Sequence, residues 1–244
     1  MRPRFSLVFL LFLVGCATSE SRVEELGAKT FERAKRRYFV EEGERVNAYV
    51  HCVVKALTAA LPIQHQWEVV IFKNEEANAF ALPGGKIGVN TGLLRAALNS
   101  DQLAAVLGHE IGHVIAEHGR ERMTQQFSLD AFRVVSTIAT RGSDSSAAVA
   151  DGLAGVAQIG ILYPFNQVQE SEADLIGLQL AASAGFDPSQ AIDFWLNMQT
   201  LGVLNSSSSF SSHPAIKERI QKLKVHMSDV VTLRPSKESV KCKG

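Results

Sequence analysis

Cysteine, long apolar stretches and an excess of either charge are all scarce in this chain of 244 residues. Three cysteines are too few for a scaffold held together by many disulfides. Lysine plus arginine and aspartate plus glutamate number 25 each, so the basic excess typical of a nucleic-acid-binding protein is missing. Apolar residues still make up 46% of the chain, which argues against a mainly disordered, fibrous or polytopic membrane protein and predicts a globular domain with a sizeable core.

The one marked apolar run lies at the N terminus. Residues 5–14 are apolar except for Ser6 and follow Arg2 and Arg4. About ten residues are too few to span a bilayer, which needs roughly 20. A basic start before a short apolar run is typical of a secretory signal peptide.

The end of this run is more specific. Leu13-Val14-Gly15-Cys16 resembles a bacterial lipobox, in which the cysteine is lipid-modified and becomes the new N terminus. We therefore expect residues 1–15 to be a lipoprotein signal peptide and Cys16 to carry a lipid anchor; a plain signal peptide with an incidental cysteine is the alternative. By the same resemblance, Ala17 in place of aspartate after the cysteine implies sorting to the outer membrane, on its periplasmic face.

The mature chain is expected to form a single domain over residues 16–226, with a C-terminal tail over residues 227–244. Its other cysteines are Cys52 and Cys242. The periplasm is oxidising, which permits a disulfide that would tie the tail to an early helix. Two unpaired thiols are the alternative, and the sequence does not decide between them.

Hydrophobic spacing, prolines and glycines predict a mainly helical α+β fold with one small sheet. A hairpin or irregular edge strand is expected around Pro83-Gly84-Gly85, within residues 78–89. The other predicted elements are a strand over 67–72 and helices over 21–38, 44–61, 100–118, 121–140, 148–163, 166–184, 188–200 and 214–224.

The motif that carries chemistry is His109-Glu110-Ile111-Gly112-His113, within the predicted helix 100–118. Histidines four residues apart lie on one face of a helix, one turn apart, so both imidazoles can reach one zinc ion. Glu110 lies about 100° around the helix from His109. It borders the same face and can act as a general base on a water molecule held by the zinc.

A catalytic zinc ion needs a third protein ligand. His118 is five residues after His113, about 140° around a continuous helix, so we do not expect it to be that ligand. The acidic cluster at residues 170–174 is the better source, because Glu170 and Asp174 share a helix face while Glu172 points away and is expected to be solvated. One of the pair could bind zinc while the other orients a ligand histidine, and spacing alone does not rank them.

HEIGHVIAEHG at residues 109–119, ESEAD at 170–174 and SSHP at 211–214 together resemble the gluzincin metallopeptidases. These include the CAAX prenyl proteases, the membrane protease HtpX and periplasmic lipoprotein metalloproteases. NAFALPGGKIGVNTGLL at residues 78–94 is similar to the same family, and the resemblance extends over about residues 21–225. It implies a zincin-like fold with the HExxH on a central helix and an edge strand lining the cleft. The prenyl proteases and HtpX span the membrane several times. This sequence shows no such spans, so it resembles the soluble, lipid-anchored branch.

The resemblance also implies residue roles. His109, His113 and Glu170 would bind one zinc ion, and Asp174 would hold a ligand histidine in place. His213, in the late His-Pro motif, would stabilise the oxyanion, close the open position on zinc or pack as a core histidine, three alternatives that the sequence leaves open. The cleft segment that would pair with an extended substrate comprises Asn78, Ala79, Phe80, Ala81, Leu82 and Pro83.

The sequence thus predicts a zinc-dependent endopeptidase in which Glu110 activates the water molecule. Its expected substrates are unfolded or misassembled envelope proteins, with no nucleic acid as a partner. The alternative is a non-hydrolytic periplasmic chaperone or assembly factor for outer-membrane proteins that uses the same cleft. A zinc hydrolase of small amides shares the motif, but it does not need an edge strand.

Overall fold

The computed structural model describes residues 20–62, 66–122, 165–201, 216–235 and 240–243, and the statements below refer to these residues. The mainly helical architecture with one small sheet confirms the fold class predicted from the sequence. None of the described helices is long and apolar enough to cross a membrane. The elements are α1 (Glu20–Arg37), α2 (Glu44–Ala59), β1 (Glu68–Phe72), β2 (Ala79–Leu82), β3 (Lys86–Asn90), α3 (Leu93–Ala96), α4 (Ser100–Ile115), α5 (Gln167–Ser183), α6 (Gln190–Thr200) and α7 (Ile216–Val231).

Several sequence predictions fall outside the described residues. They are the signal peptide with Cys16, the helix over 121–140 beyond residue 122, the helix over 148–163, and His213.

The three strands form a sheet in the order β1-β3-β2. β2 and β3 are the predicted hairpin and pair antiparallel, with Ala81 opposite Ile87. Gly84 and Gly85 both have positive φ, 81° and 72°, which glycine adopts without the steric cost that a Cβ atom brings. β1 pairs with β3 in parallel, which leaves β2 at the edge of the sheet in the described part of the chain.

The sheet is covered on both faces. Phe31 of α1 is fully buried and packs edge-on against Phe72 and Phe80, whose rings stack on each other. Ile71 and Ile87 belong instead to the main hydrophobic core, together with apolar residues of α2 and α4. Side chains alternate between the two faces of a strand, so the neighbouring residues Ile71 and Phe72 pack on opposite faces of the sheet. α1 covers one of these faces and α4 the other.

α4 begins as predicted and ends early. Asn99 caps its N terminus by accepting a hydrogen bond from the backbone N–H of Gln102 at 2.9 Å. The helix stops at Ile115 rather than at His118, because Glu117 adopts a left-handed conformation with φ of 55°. The chain then resumes with a further helical turn at residues 118–122.

α4 and α5 approach each other at backbone distance. A Cβ atom added to Gly177 of α5 would lie 2.6 Å from the backbone nitrogen of His109, and one added to Gly108 would lie 2.9 Å from the carbonyl oxygen of Gly177. One turn further along, a Cβ atom on Gly112 would lie 2.9 Å from the carbonyl oxygen of Ala173. The small residues on the two helices therefore set how closely the HExxH motif and the acidic cluster meet.

The C-terminal part is more ordered than the sequence suggested. α7 continues to Val231 rather than ending near Lys224, because Val230 is still buried against the core. The far end of the predicted tail is tied to the domain, since Cys242 is disulfide-bonded to Cys52 of α2, with their Cα atoms 5.8 Å apart.

Replacing Gly177 by alanine tests the close helix contact. Alanine has the higher intrinsic helix propensity, by about 1 kcal/mol. We nevertheless expect Gly177→Ala to lower the free energy of unfolding by about 1–3 kcal/mol, because the added methyl group meets backbone atoms that cannot move independently. Urea unfolding measures the change, with Gln179→Ala on the exposed face of the same helix as the control. A Gly177→Ala protein as stable as its parent would contradict the packing argument.

Candidate metal centre

Three side chains from two helices converge at the α4–α5 contact. His109 and His113 of α4 and Glu170 of α5 are each at least 95% buried. The two Nε2 atoms of the histidines lie 3.1 Å apart, and each lies 3.5 Å from an oxygen of the Glu170 carboxylate. Both rings therefore aim the same nitrogen at one point, which the carboxylate also faces.

These separations fit a bound zinc ion. Nitrogen and oxygen ligands at about 2.0–2.1 Å around a tetrahedral zinc ion are roughly 3.3 Å from one another. The donor separations of 3.1–3.5 Å bracket that value. Two neutral imidazoles with one carboxylate are also a common donor set of catalytic zinc sites. The residues present thus fit one zinc ion with a position left open.

Asp174 holds the first ligand histidine from behind. It lies one turn after Glu170 on α5, and its Oδ1 is 3.0 Å from Nδ1 of His109. Burial alone would raise the pKa of the Asp174 carboxyl, but the Arg219 guanidinium and the hydrogen bond with His109 together hold that pKa well below its usual range. A carboxylate that accepts the Nδ1–H of a ligand histidine fixes its tautomer and leaves Nε2 free for the metal.

Arg219 is a residue of the site that the sequence did not reveal. It lies on α7, is 4% exposed, and its Nε donates to Oδ2 of Asp174 at 2.9 Å. Its Nη1 is 3.4 Å from Oε2 of Glu170, and its guanidinium lies 4.1 Å from the centre of the Trp195 ring. A single arginine on an amphipathic helix gives no local signal, because its partners lie on another helix.

The buried charges also favour a divalent cation. Glu110, Glu170 and Asp174 are buried carboxylates, whereas Arg219 is the only arginine or lysine buried to the same degree among the described residues. Burying unbalanced charge is costly. A divalent cation between His109, His113 and Glu170 would balance the remaining negative charge.

The second ligand histidine has different surroundings. The ring of Phe165 stacks on His113 at 3.7 Å between centroids, and the Arg122 guanidinium lies 3.4 Å from the centre of the Phe165 ring. Nδ1 of His113 lies 2.9 Å from Nδ1 of His118, which lies outside the cluster of His109, His113 and Glu170. Glu172 is half-exposed, as expected of a solvated residue, yet its Oε2 is 3.3 Å from Nε2 of His118.

The predicted cleft segment lies beside this centre. Ala81 and Pro83 line a cavity of about 260 Å³ that also borders His113. The side chains of Phe80 and Leu82 lie in the cluster around Phe31 instead, so they face away from α4. Among the described residues β2 pairs on one side only, with β3, which leaves the backbone of its other edge without a neighbouring strand.

Two further predicted site features lie elsewhere. The Cys52–Cys242 disulfide joins α2 to the C-terminal segment and takes no part in the metal cluster. His213 and Cys16 are outside the described residues, so their roles stay predictions.

Comparison with known proteins bears on the same residues. The chain matches the sequence profile of peptidase family M48 over residues 44–226. It is 33% identical over 195 residues to the mitochondrial metalloendopeptidase OMA1 of Schizosaccharomyces pombe, covering 78% of this chain and 56% of that protein. It is 32% identical over 181 residues to the beta-barrel assembly-enhancing protease of Yersinia pestis, covering 70% and 37%. It is 30% identical over 158 residues to the metalloprotease LoiP of Escherichia coli, covering 65% and 62%.

The chain thus spans 37% to 62% of the length of these three relatives. All three are named as proteases, and the matched residues 44–226 include both histidines, Glu110, the acidic cluster and Arg219.

A double-mutant cycle tests how Arg219 and Asp174 depend on each other. We expect Arg219→Met to lower the free energy of unfolding of the zinc-free protein by about 3–5 kcal/mol, because it leaves two buried carboxylates without their cation. Combined with Asp174→Asn, the loss should be smaller than the sum of the two single losses by at least about 1 kcal/mol. Urea unfolding in the presence of a chelator measures all four proteins.

Arg95 supplies the matched control, since it forms an ion pair with Glu75 at the surface. Arg95→Met should cost no more than about 1 kcal/mol. Strict additivity of Arg219→Met and Asp174→Asn would show that the two groups do not interact.

Proposed function

The chain belongs to peptidase family M48 and carries a zinc metallopeptidase domain, and from this we propose that it is an endopeptidase that hydrolyses polypeptides. The observation that carries the proposal is the convergence of His109, His113 and Glu170 on one point, with Glu110 buried on the same helix. These three donors would hold one zinc ion. When bound, zinc polarises a carbonyl and makes a water molecule more acidic.

Glu110 is the general base and acid in this proposal. It follows His109 directly, so it borders the ligand face of α4 without belonging to the donor cluster. Its carboxylate would accept the proton of the attacking water and later deliver that proton to the leaving amine. Burial suits this role, because proton transfer is then directed to the substrate rather than lost to bulk water.

The supporting residues keep the ligands in place. Asp174 accepts the Nδ1–H of His109, and Arg219 neutralises that carboxylate while also facing Glu170. The orientation of His109 is therefore set before zinc binds, and with zinc on Nε2 its proton lies on Nδ1. Preorganisation of this kind lowers the reorganisation needed during reaction.

An extended polypeptide is the substrate class that the cleft supports best. β2 offers a backbone edge for strand addition, and the cavity beside Ala81, Pro83 and His113 can receive a side chain. A folded protein cannot present a strand in that way, so we propose unfolded or misassembled envelope proteins as substrates. One relative is a beta-barrel assembly-enhancing protease, which is consistent with an envelope role.

For location, we propose the periplasmic face of the outer membrane, reached through a lipid on Cys16. The support is the lipobox-like sequence that ends at Cys16. The Cys52–Cys242 disulfide suits an oxidising compartment. Several relatives are mitochondrial, so the family alone does not fix a compartment. The non-hydrolytic chaperone alternative is not favoured, because a binding factor would not need Glu110 beside the zinc ligands.

Glu110→Gln separates hydrolysis from metal binding. We expect this protein to fold and to hold zinc as its parent does, while cleavage of unfolded casein falls by at least about 10²-fold, because the amide cannot take a proton from water. Cleavage rates and zinc content are measured on the same samples. Glu25→Gln, the same change at an exposed position of α1, should cleave like the parent.

Two outcomes would contradict the proposal. Zinc in both proteins with cleavage by neither would exclude the peptidase activity on this substrate class. Undiminished cleavage by Glu110→Gln would exclude Glu110 as the base.

Cys16→Ser tests the anchor. The parent should sediment with membranes, and the Cys16→Ser protein should not, because a serine cannot accept the thioether-linked lipid. Cell fractionation followed by detection of the protein measures this, with Ser19→Ala as the control at a neighbouring position. Equal membrane association of Cys16→Ser and its parent would refute the lipid anchor.

A further inference from the structure

His118 reaches the metal centre because the helix that carries the HExxH motif is interrupted before it. In a continuous helix its side chain would point about 140° away from that of His113. α4 instead ends at Ile115, and Glu117 takes a left-handed conformation with φ of 55°. A residue other than glycine rarely adopts such a conformation without a compensating contact. The reversal turns the His118 ring back to His113, where it is 98% buried.

Two contacts place His118 between a zinc ligand and a carboxylate. Its Nδ1 lies 2.9 Å from Nδ1 of His113, and its Nε2 lies 3.3 Å from Oε2 of Glu172 on α5. The Glu172 side chain is 56% exposed, so the far end of this row of groups meets solvent. The row links His113 of α4 to Glu172 of α5.

With zinc bound, the positions of the ring protons of His113 and His118 follow from these contacts. A histidine that binds zinc through Nε2 is neutral and carries its proton on Nδ1. Two ring nitrogens 2.9 Å apart form a hydrogen bond only if one donates and the other accepts. Nδ1–H of His113 therefore donates to Nδ1 of His118. The proton of neutral His118 then lies on Nε2, which donates to the Glu172 carboxylate.

The two zinc-binding histidines are thus held by different means. His109 donates directly to the carboxylate of Asp174, 3.0 Å away. For His113 an imidazole stands between the ligand and the carboxylate. In both cases the acceptor fixes the Nδ1–H tautomer and so directs Nε2 to the metal.

We propose that His118 and Glu172 are positioning residues for His113, with His118 as the hydrogen-bond acceptor that fixes its tautomer and Glu172 as the carboxylate that fixes the tautomer of His118. The proposal rests on zinc binding, one part of the proposed function, and not on proteolysis. It assigns to a buried histidine outside the donor cluster a role in holding one of the zinc ligands.

The test compares two substitutions of His118. His118→Asn keeps an acceptor, because its Oδ1 takes the place of the histidine Nδ1. His118→Leu fills similar space without an acceptor. Zinc affinity is measured by competition with a chromogenic chelator at fixed pH. The visible absorption of the Co²⁺-substituted proteins reports the ligand geometry, and the melting temperature of each zinc-free protein reports packing.

We expect His118→Leu to weaken zinc binding by about 10- to 100-fold. His118→Asn should recover most of that loss and keep the Co²⁺ spectrum of the parent. His51→Leu, at an exposed histidine of α2, is the control and should bind zinc like the parent. Glu172→Ala should weaken zinc binding measurably but less than His118→Leu, because water only partly replaces a half-exposed carboxylate. Glu172→Gln, which keeps an acceptor oxygen, should weaken it less again.

Unchanged zinc affinity in His118→Leu would overturn the proposal. Equal losses in His118→Asn and His118→Leu, in step with lower melting temperatures of the zinc-free proteins, would also overturn it in favour of a packing role. If the His118 variants do not fold, the half-exposed Glu172 carries the test, and parental zinc affinity in Glu172→Ala would refute the proposal. Failure of the parent itself to bind zinc would overturn the proposed function as well, whereas a parent that binds zinc without cleaving casein would leave this inference standing.

Discussion

The metal centre depends on two helices that touch through their backbones. Gly108 and Gly112 of α4 face Ala173 and Gly177 of α5, at separations where a single added Cβ atom would come within 3 Å of backbone atoms. Helices packed through larger side chains lie about 8–10 Å apart, whereas small residues allow a closer approach. Only at close approach can Glu170, with a side chain of two methylene groups, reach the point to which both histidines aim. The glycines therefore help to shape the site, although none of them belongs to the donor cluster.

Burying the ligands creates an electrostatic cost that the surrounding residues offset. Glu110, Glu170 and Asp174 are all buried within the same part of the fold. Arg219 approaches from a third helix, α7, and its flat guanidinium can face two carboxylates while stacking on Trp195. A lysine could not make the paired contact with Asp174 and the ring contact at once. The position of α7 is in turn fixed by its own apolar residues, Leu223 and Val230, so stability of the core and charge balance at the site are coupled.

The sequence predicted the parts of the site that are local to one helix. Two histidines four residues apart, with a glutamate beside the first, require only helical periodicity to share a face, and the spacing of Glu170 and Asp174 carries the same information. Ranking those two acids needed the family resemblance, because periodicity treats them alike.

Arg219 could not be found, since its significance comes from contacts with α5 and α6. The direction of the His118 side chain was predicted wrongly, because α4 was expected to continue to residue 118 and the left-handed residue Glu117 has no strong sequence signal. The hairpin was predictable from Pro83-Gly84-Gly85, and β1 from a short run of apolar, β-branched residues. The length of α7 was not, because the burial of Val230 is a tertiary effect.

The edge strand β2 is packed on both faces, which fixes the backbone with which the proposed substrate would pair. Phe31 of α1 clamps the face that carries Phe80, while the opposite face lies on α4. α1 lies before residue 44, where the match to the family profile begins. Strand addition gains little from a mobile edge, because ordering the backbone costs about 1–2 kcal/mol per residue. An edge already fixed on both faces leaves that cost to the incoming chain alone. A folded protein must also unfold before it can pair, so an unfolded polypeptide, the substrate class proposed above, would bind such an edge at the lower total cost.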